Sequence, residues 1–374
     1  MTTPRRRALA AIAAAPLLFA GAAFAQPGMT SFSGVSPSQP APPLPMSSAP
    51  IPPNASDMQA VLDAQAALGA KPIEKLSPAQ ARKQPTPADA VMAVMKQKGM
   101  PAMPDPAVAT KDMSYGDAPQ EMARIYKPKA AMGAAALPVI VYYHGGGWVI
   151  ADLKTYDATP RFLSKQLNAI VVSVEYRHAP EAKFPAQHED AAMAYGWVLK
   201  NAKSWGGDPT RIALAGESAG GNLAIATAIY ARDHNMPAPV HILSVYPIAN
   251  SSMSLPSKME NGNTKPLNTA MLSWFTYYYA ASPADGMDPR INLVAADLHG
   301  LPPTTIVNAQ NDPLRSDGET LEQAMKAAGD SVERRVFPGV THEFFGMGKV
   351  VRGAYDAETY SVQRLTPALT GAGQ

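Results

Sequence analysis

Gly216-Glu217-Ser218-Ala219-Gly220 sets a serine hydroxyl between small residues, with a short apolar run at 212–215 before it and an amphipathic stretch after it. A strand that reverses sharply into a helix needs positive φ and close backbone approach, which glycine permits because it has no Cβ. The hydroxyl of Ser218 would then stand at a helix N-terminus, where free N–H groups and the helix dipole favour developing negative charge. That is the context of an activated nucleophile. With Gly near 7% of average composition, such a five-residue string turns up by chance in roughly one chain in ten of this length. The serine therefore needs partners before it means anything.

His144-Gly145-Gly146-Gly147-Trp148 follows directly on an apolar run, VIVYY. Glycines at a strand end let the backbone turn several N–H groups towards one point, as an oxyanion hole requires. Gly145 and Gly146 are the expected donors, joined by the N–H of Ala219, the residue after the serine. His144 would fix this loop by a hydrogen bond. A base and a group to orient it are also required. Asp312 comes just after the run TTIVNA, and His342 just after RRVF. Both would sit at the carboxyl ends of parallel strands, on the same sheet edge as Ser218. The order Ser218, Asp312, His342 is that of the α/β-hydrolases. His342 would take and return the hydroxyl proton while Asp312 holds the imidazole tautomer. Activity should then fall as His342 is protonated, near or below the ordinary histidine pKa of about 6.5.

The other six histidines read as structural, with His188, His234 and His299 on helix or surface segments. Among the acids Asp317 is the runner-up, followed by Asp297 and Asp285, but Asp317 falls at the start of a helix, where an acid has an ordinary explanation. No His-Glu-x-x-His, calcium-loop or Walker spacing occurs, so the spacing assigns no metal and no cofactor.

The elements that must position these residues are strands alternating with helices from Met113 onward, the mark of an α/β sheet with parallel strands. Strands are expected at 121–126, 138–143, 170–175, 211–215, 241–246, 304–308 and 332–337. Helices are expected at 57–68, 87–98, 160–167, 188–201, 222–234, 269–279 and 318–328. The inner strands are nearly continuous apolar runs, as fits burial on both faces. Residues 250–289, rich in Ser, Asn, Pro and aromatics, form a long excursion of the kind that serves as a lid or pocket wall. Methionines cluster before the sheet (Met58, Met92, Met95, Met100, Met103), which suits an adaptable hydrophobic cover.

The N-terminus opens with Arg5, Arg6 and Arg7, an Ala-rich apolar run, and Ala23-Phe24-Ala25 in the small-x-small pattern of signal peptidase cleavage. Residues 1–25 therefore read as an export signal, through either the general or the twin-arginine route, and the protein as periplasmic or secreted. Nine prolines in residues 26–53 mark a linker. Removing the signal leaves 29 basic against 30 acidic side chains and no basic run, which excludes a nucleic-acid surface. The mature chain carries no membrane anchor in this reading. With no cysteine in the chain, disulfides, thiol catalysis and thiolate metal sites are excluded.

Taken together, RIYKP (124–128), HGGGW (144–148), YRHAPE (176–181), FPA (184–186), GESAGGNLA (216–224), LPP (301–303), NDPLRSDG (311–318) and HEFFGM (342–347) resemble the hormone-sensitive lipase-like esterases, the bacterial family IV branch of the α/β-hydrolases. The resemblance covers roughly residues 124–347. It implies an eight-stranded, mostly parallel sheet flanked by helices, with an N-terminal helical cap at 54–110 ahead of a catalytic domain at 111–374. It further implies a cofactor-free carboxylesterase for short- to medium-chain acyl esters, with longer-chain lipase or polyester hydrolase as the alternative and a non-catalytic ligand-binding protein as the rival from another class. A homodimer stays open. Glu217 stands where the family often has Asp, Glu343 where Gly is common, and Ser316-Asp317 where an acidic pair is common.

Overall fold

Strand β3 (Leu137–Tyr143) explains the architecture best, because all seven of its residues are buried. Val139, Val141 and Tyr143 join one hydrophobic core while Ile140 and Tyr142 join another. Successive side chains of a strand point to opposite faces, so a sheet covered by helices on both sides needs an uninterrupted apolar run. Each fully buried aliphatic side chain contributes about 1.5–3 kcal/mol.

The computed structural model describes residues 51–101, 103–131 and 136–371. The expected signal at 1–25 and nearly all of the linker at 26–53 lie outside the described residues. The sheet has eight strands: β1 (Val108–Ser114), β2 (Met122–Pro128), β3, β4 (Ile170–Val174), β5 (Gly207–Glu217), β6 (Ile242–Val245), β7 (Thr304–Asn311) and β8 (Val332–Thr341). Their order is β1-β2-β4-β3-β5-β6-β7-β8. Strands β4 to β8 and β3 pair in parallel, whereas β2 runs antiparallel to both β1 and β4. The sheet is eight-stranded and mostly parallel, as expected, with β2 the strand that breaks the parallel run.

Helices α5 (Ala186–Asn201), α6 (Ala219–Asp233) and α9 (Arg315–Ala327) bury residues in the first core, and α4 (Ala158–Gln166) and α10 (Arg352–Thr370) in the second. The excursion holds α7 (Pro256–Glu260) and α8 (Thr269–Tyr279). Ahead of the sheet come α1 (Ser56–Ala67), α2 (Pro78–Ala81) and α3 (Pro87–Gln97). Met58, Val61, Val94 and Met95 of α1 and α3 join the second core. Strand β1 straddles residue 110, so the helical segment gives way to the sheet a few residues earlier than expected.

Two long-range anchors tie this N-terminal segment to the rest. Arg82, which ends α2, donates to the backbone oxygens of Val149 and Ala179 and pairs with Glu181 at 2.7 Å. Farther upstream, Asn311 donates to the Pro52 carbonyl and the Asn54 side chain at 2.8 Å each, while Ala55 N–H donates to the Gly339 carbonyl at 2.8 Å. Residues 52–55 thereby clasp the ends of β7 and β8.

Candidate active site

Ser218 sits between β5 and α6 with φ 57 and ψ −116, a backbone state that non-glycine residues rarely hold. The register aligns Gly216 with Tyr143 on one side and Ser244 on the other. A Cβ on Gly220 would lie 2.0 Å from the Tyr143 carbonyl oxygen, so only glycine lets α6 start this close to β3. The Ser218 N–H donates to Val245 O at 2.8 Å, which stitches the turn to β6.

His342 follows β8 immediately and Asp312 follows β7 immediately. Nδ1 of His342 lies 2.8 Å from Asp312 Oδ2, and Nε2 lies 3.0 Å from Ser218 Oγ. Asp312 is fully buried, and its other oxygen accepts the Leu314 N–H at 2.8 Å. With Asp312 accepting at Nδ1–H, Nε2 carries the lone pair and accepts from the serine hydroxyl. Burial alone would push the His342 pKa down, but the Asp312 charge and hydrogen bond, with Glu343 and Glu217 behind them, hold it above the ordinary value. The expectation of protonation near or below 6.5 is corrected accordingly.

The loop after β3 runs through φ 97 at Gly146, 58 at Gly147 and 61 at Trp148. At Gly146 a Cβ would meet Ile150 O at 2.1 Å. Among the described residues, no acceptor is bonded to the N–H groups of Gly145, Gly146 or Ala219. Buried backbone donors are nearly always paired, so three free ones beside one serine suit an incoming anionic oxygen. His144 does fix the loop, as expected: Nδ1 donates to Gly145 O at 2.7 Å and its ring stacks on Tyr176 at 4.4 Å.

Sequence reasoning missed what lies beneath the serine. Glu217 accepts from Tyr142 Oη at 2.6 Å and from Tyr246 Oη, and burial lifts its pKa to about 7 despite both bonds. Tyr246 packs against the His342 ring at 4.5 Å between centroids. On the Nε2 side, Glu343 Oε1 stands 3.8 Å from His342, and Tyr156 Oη donates to its carboxylate at 2.6 and 2.8 Å. Glu343 has φ 66, the reason glycine would be the easy choice there. A carboxylate replaces it at a conformational cost of about 1–3 kcal/mol. The departure from the expected Gly was the one available signal for this contact.

Elsewhere the assignments sort cleanly. Asp317 is fully buried and paired with Lys258 at 3.0 Å, away from His342 in bonding terms. Asp297 pairs with His299 at the surface, and Asp285 caps the turn at Ser282. His188 lies on helix α5, as expected of a structural histidine, and is buried, with Nε2 3.0 Å from Asn222 Oδ1 and Nδ1 3.0 Å from Tyr279 Oη.

A family model described as the alpha/beta hydrolase fold matches residues 140–346, more than half of the chain. The chain belongs to the α/β-hydrolase family, in its hormone-sensitive lipase-like branch. It is 38% identical over 271 residues to a carboxylesterase of Mycobacterium tuberculosis, covering 71% of this chain and 84% of that one. An ethyl acetate hydrolase of Pseudomonas putida is 33% identical over 244 residues, covering 65% and 77% of the two chains. Among solved structures, an esterase of Pyrobaculum calidifontis superposes with a TM-score of 0.72 at 32% identity, over 81% of this chain and 96% of that one.

Proposed function

We propose that this chain is an exported serine carboxylesterase that hydrolyses short- to medium-chain acyl esters through an acyl-serine intermediate. What carries this reading is the relay from Asp312 to His342 to Ser218 at 2.8 and 3.0 Å, ending beside three unpaired backbone donors. Ser218 Oγ attacks the ester carbonyl carbon as its proton passes to His342 Nε2. The carbonyl electrons go to the oxygen, which the N–H groups of Gly145, Gly146 and Ala219 stabilise. Collapse expels the alkoxide, which takes the proton from His342. Water then gives a proton to Nε2 as its oxygen attacks the acyl carbon, and collapse releases the acid while Ser218 Oγ takes that proton back from His342.

The reading takes the acyl group to be short; α8 packs against the glycine loop, where Tyr279 stacks on Trp148 at 4.1 Å. The ethyl acetate hydrolase among the relatives agrees with that preference. Export is supported by Arg5–Arg7 and the Ala23-Phe24-Ala25 cleavage pattern. Replacement of Ser218 by Ala is expected to lower p-nitrophenyl butyrate hydrolysis by about 10⁴-fold or more with the circular dichroism spectrum unchanged. Retained turnover would refute the reading. A rate that rises from butyrate to palmitate would favour a lipase, and an N-terminus of the exported protein other than Gln26 would overturn the cleavage site.

A further inference from the structure

His144, Glu175 and His178 converge behind the glycine loop, and none of them belongs to the relay. One ligand atom from each lies within 4.8 Å of the others. Glu175 Oε1 is 3.7 Å from His144 Nε2 and 3.3 Å from His178 Nε2. Both imidazole Nε2 atoms are buried without a hydrogen-bond partner, and the His144 side chain is fully shielded from solvent. Nδ1–H of His144 is committed to Gly145 O at 2.7 Å, which leaves its Nε2 aimed at a carboxylate oxygen. Glu175 uses its other oxygen to accept the Leu153 N–H at 2.9 Å, which orients Oε1 towards the two rings.

Those are the habits of metal ligands. A histidine ligand has its second nitrogen held by a carbonyl or carboxylate, and a ligand carboxylate is itself hydrogen-bonded. Ligands about 2.0–2.2 Å from a tetrahedral ion stand roughly 3.3–3.6 Å from each other, close to the two carboxylate–imidazole spacings seen here. The rings lie edge to face with centroids 5.6 Å apart, so their Nε2 atoms approach a common point from different directions. Asp152 adds a second negative charge nearby, while the positive charge of Arg82 is taken up by Glu181.

We propose that His144, Glu175 and His178 bind a divalent cation of the zinc type, which ties the glycine loop to the end of β4. Two imidazoles and one carboxylate suit Zn²⁺ or Co²⁺ rather than Mg²⁺ or Ca²⁺. Sequence spacing hid the site because His144 sits in one loop and the other two ligands in another. The rival account is a protonated His144 facing Glu175, which takes up no metal.

The test uses the full chain without a histidine tag, stripped by chelator and titrated with Co²⁺ as an optical probe. Visible d–d bands should saturate at one equivalent, fade on addition of Zn²⁺, and accompany a rise in melting temperature. Glu175→Gln, which keeps an oxygen for Leu153, and His178→Gln should each weaken binding at least about 100-fold while hydrolysis in chelator persists. An absent spectrum, or binding undiminished in both variants, overturns the site. Anomalous diffraction from Zn²⁺-soaked crystals gives a second readout that needs no variant: a peak among the three side chains supports the proposal, and a peak elsewhere or none overturns it.

Discussion

Asp312 and Asp317 lie five residues apart on the segment leaving β7, both wholly buried, yet they serve different ends. Asp312 points to an imidazole, a partner that can gain and lose a proton within the working range of the protein. Asp317 points to Lys258, a lasting cation, and accepts the N–H groups of Ala249 and Asn250 at 3.1 and 3.0 Å. It fastens the start of the excursion at 250–289. Equal burial therefore says little about role; the partner decides whether a carboxylate works in chemistry or in architecture.

The sharpest way to break this distinction is to neutralise each acid in turn. Asp312→Asn should cut kcat by about 10⁴-fold, since His342 would be held in the wrong tautomer, with little change in the urea midpoint. Asp317→Asn should do the reverse, costing about 3–5 kcal/mol of stability because Lys258 is left buried and unpaired. Equal effects of both on stability, measured by urea denaturation, would erase the contrast. Removing the pair together, as Asp317→Asn with Lys258→Met, should recover about 1–4 kcal/mol relative to the single change. A double variant weaker than the single one would mean that the pair contributes more than mutual neutralisation.

The smallest expected effect concerns pH. Catalysis needs neutral His342, whose pKa is held above 6.5, so kcat/KM should fall as pH drops through a value above 6.5. Glu343→Gln removes a negative charge 3.8 Å from Nε2, so imidazolium is less favoured and the acid limb should move to lower pH, by less than about one unit. A limb that stays put would mean that Asp312 alone sets the base. Asp317→Asn, by contrast, should leave the limb where it is.

The parts of the site that were legible in the sequence are those where steric demand restricts residue type. The elbow at Ser218 and the loop at Gly146 need glycines beside them, and the acid and base fall at strand ends that apolar runs reveal. Strand β1 left no such trace, because as an edge strand it buries only Val108 among its seven residues, with Met113 half-buried. Helix α10 was hard to read as well: beside Tyr360, Leu365 and Leu369 it buries the small or polar Ala354, Ala357, Glu358 and Ser361, which blur the apolar stripe, and it contains Pro367. The contact of Glu343 with Tyr156 joins residues 187 positions apart, and no local pattern encodes a pair at that distance. The helix position of His188 was legible, but its burial was not, because its partners Asn222 and Tyr279 come from two other elements.

The clasp at residues 52–55 has a practical side. Asn311 adjoins the acid and Gly339 precedes the base by three positions, so a short stretch near the beginning of the chain sets the spacing of two catalytic loops encoded far downstream. The contacts of this brace begin at Pro52. Cutting past residue 55 removes the brace, and the relay would loosen before the sheet does. Fusion partners and purification handles thus belong upstream of Ile51, clear of the residues that form the brace.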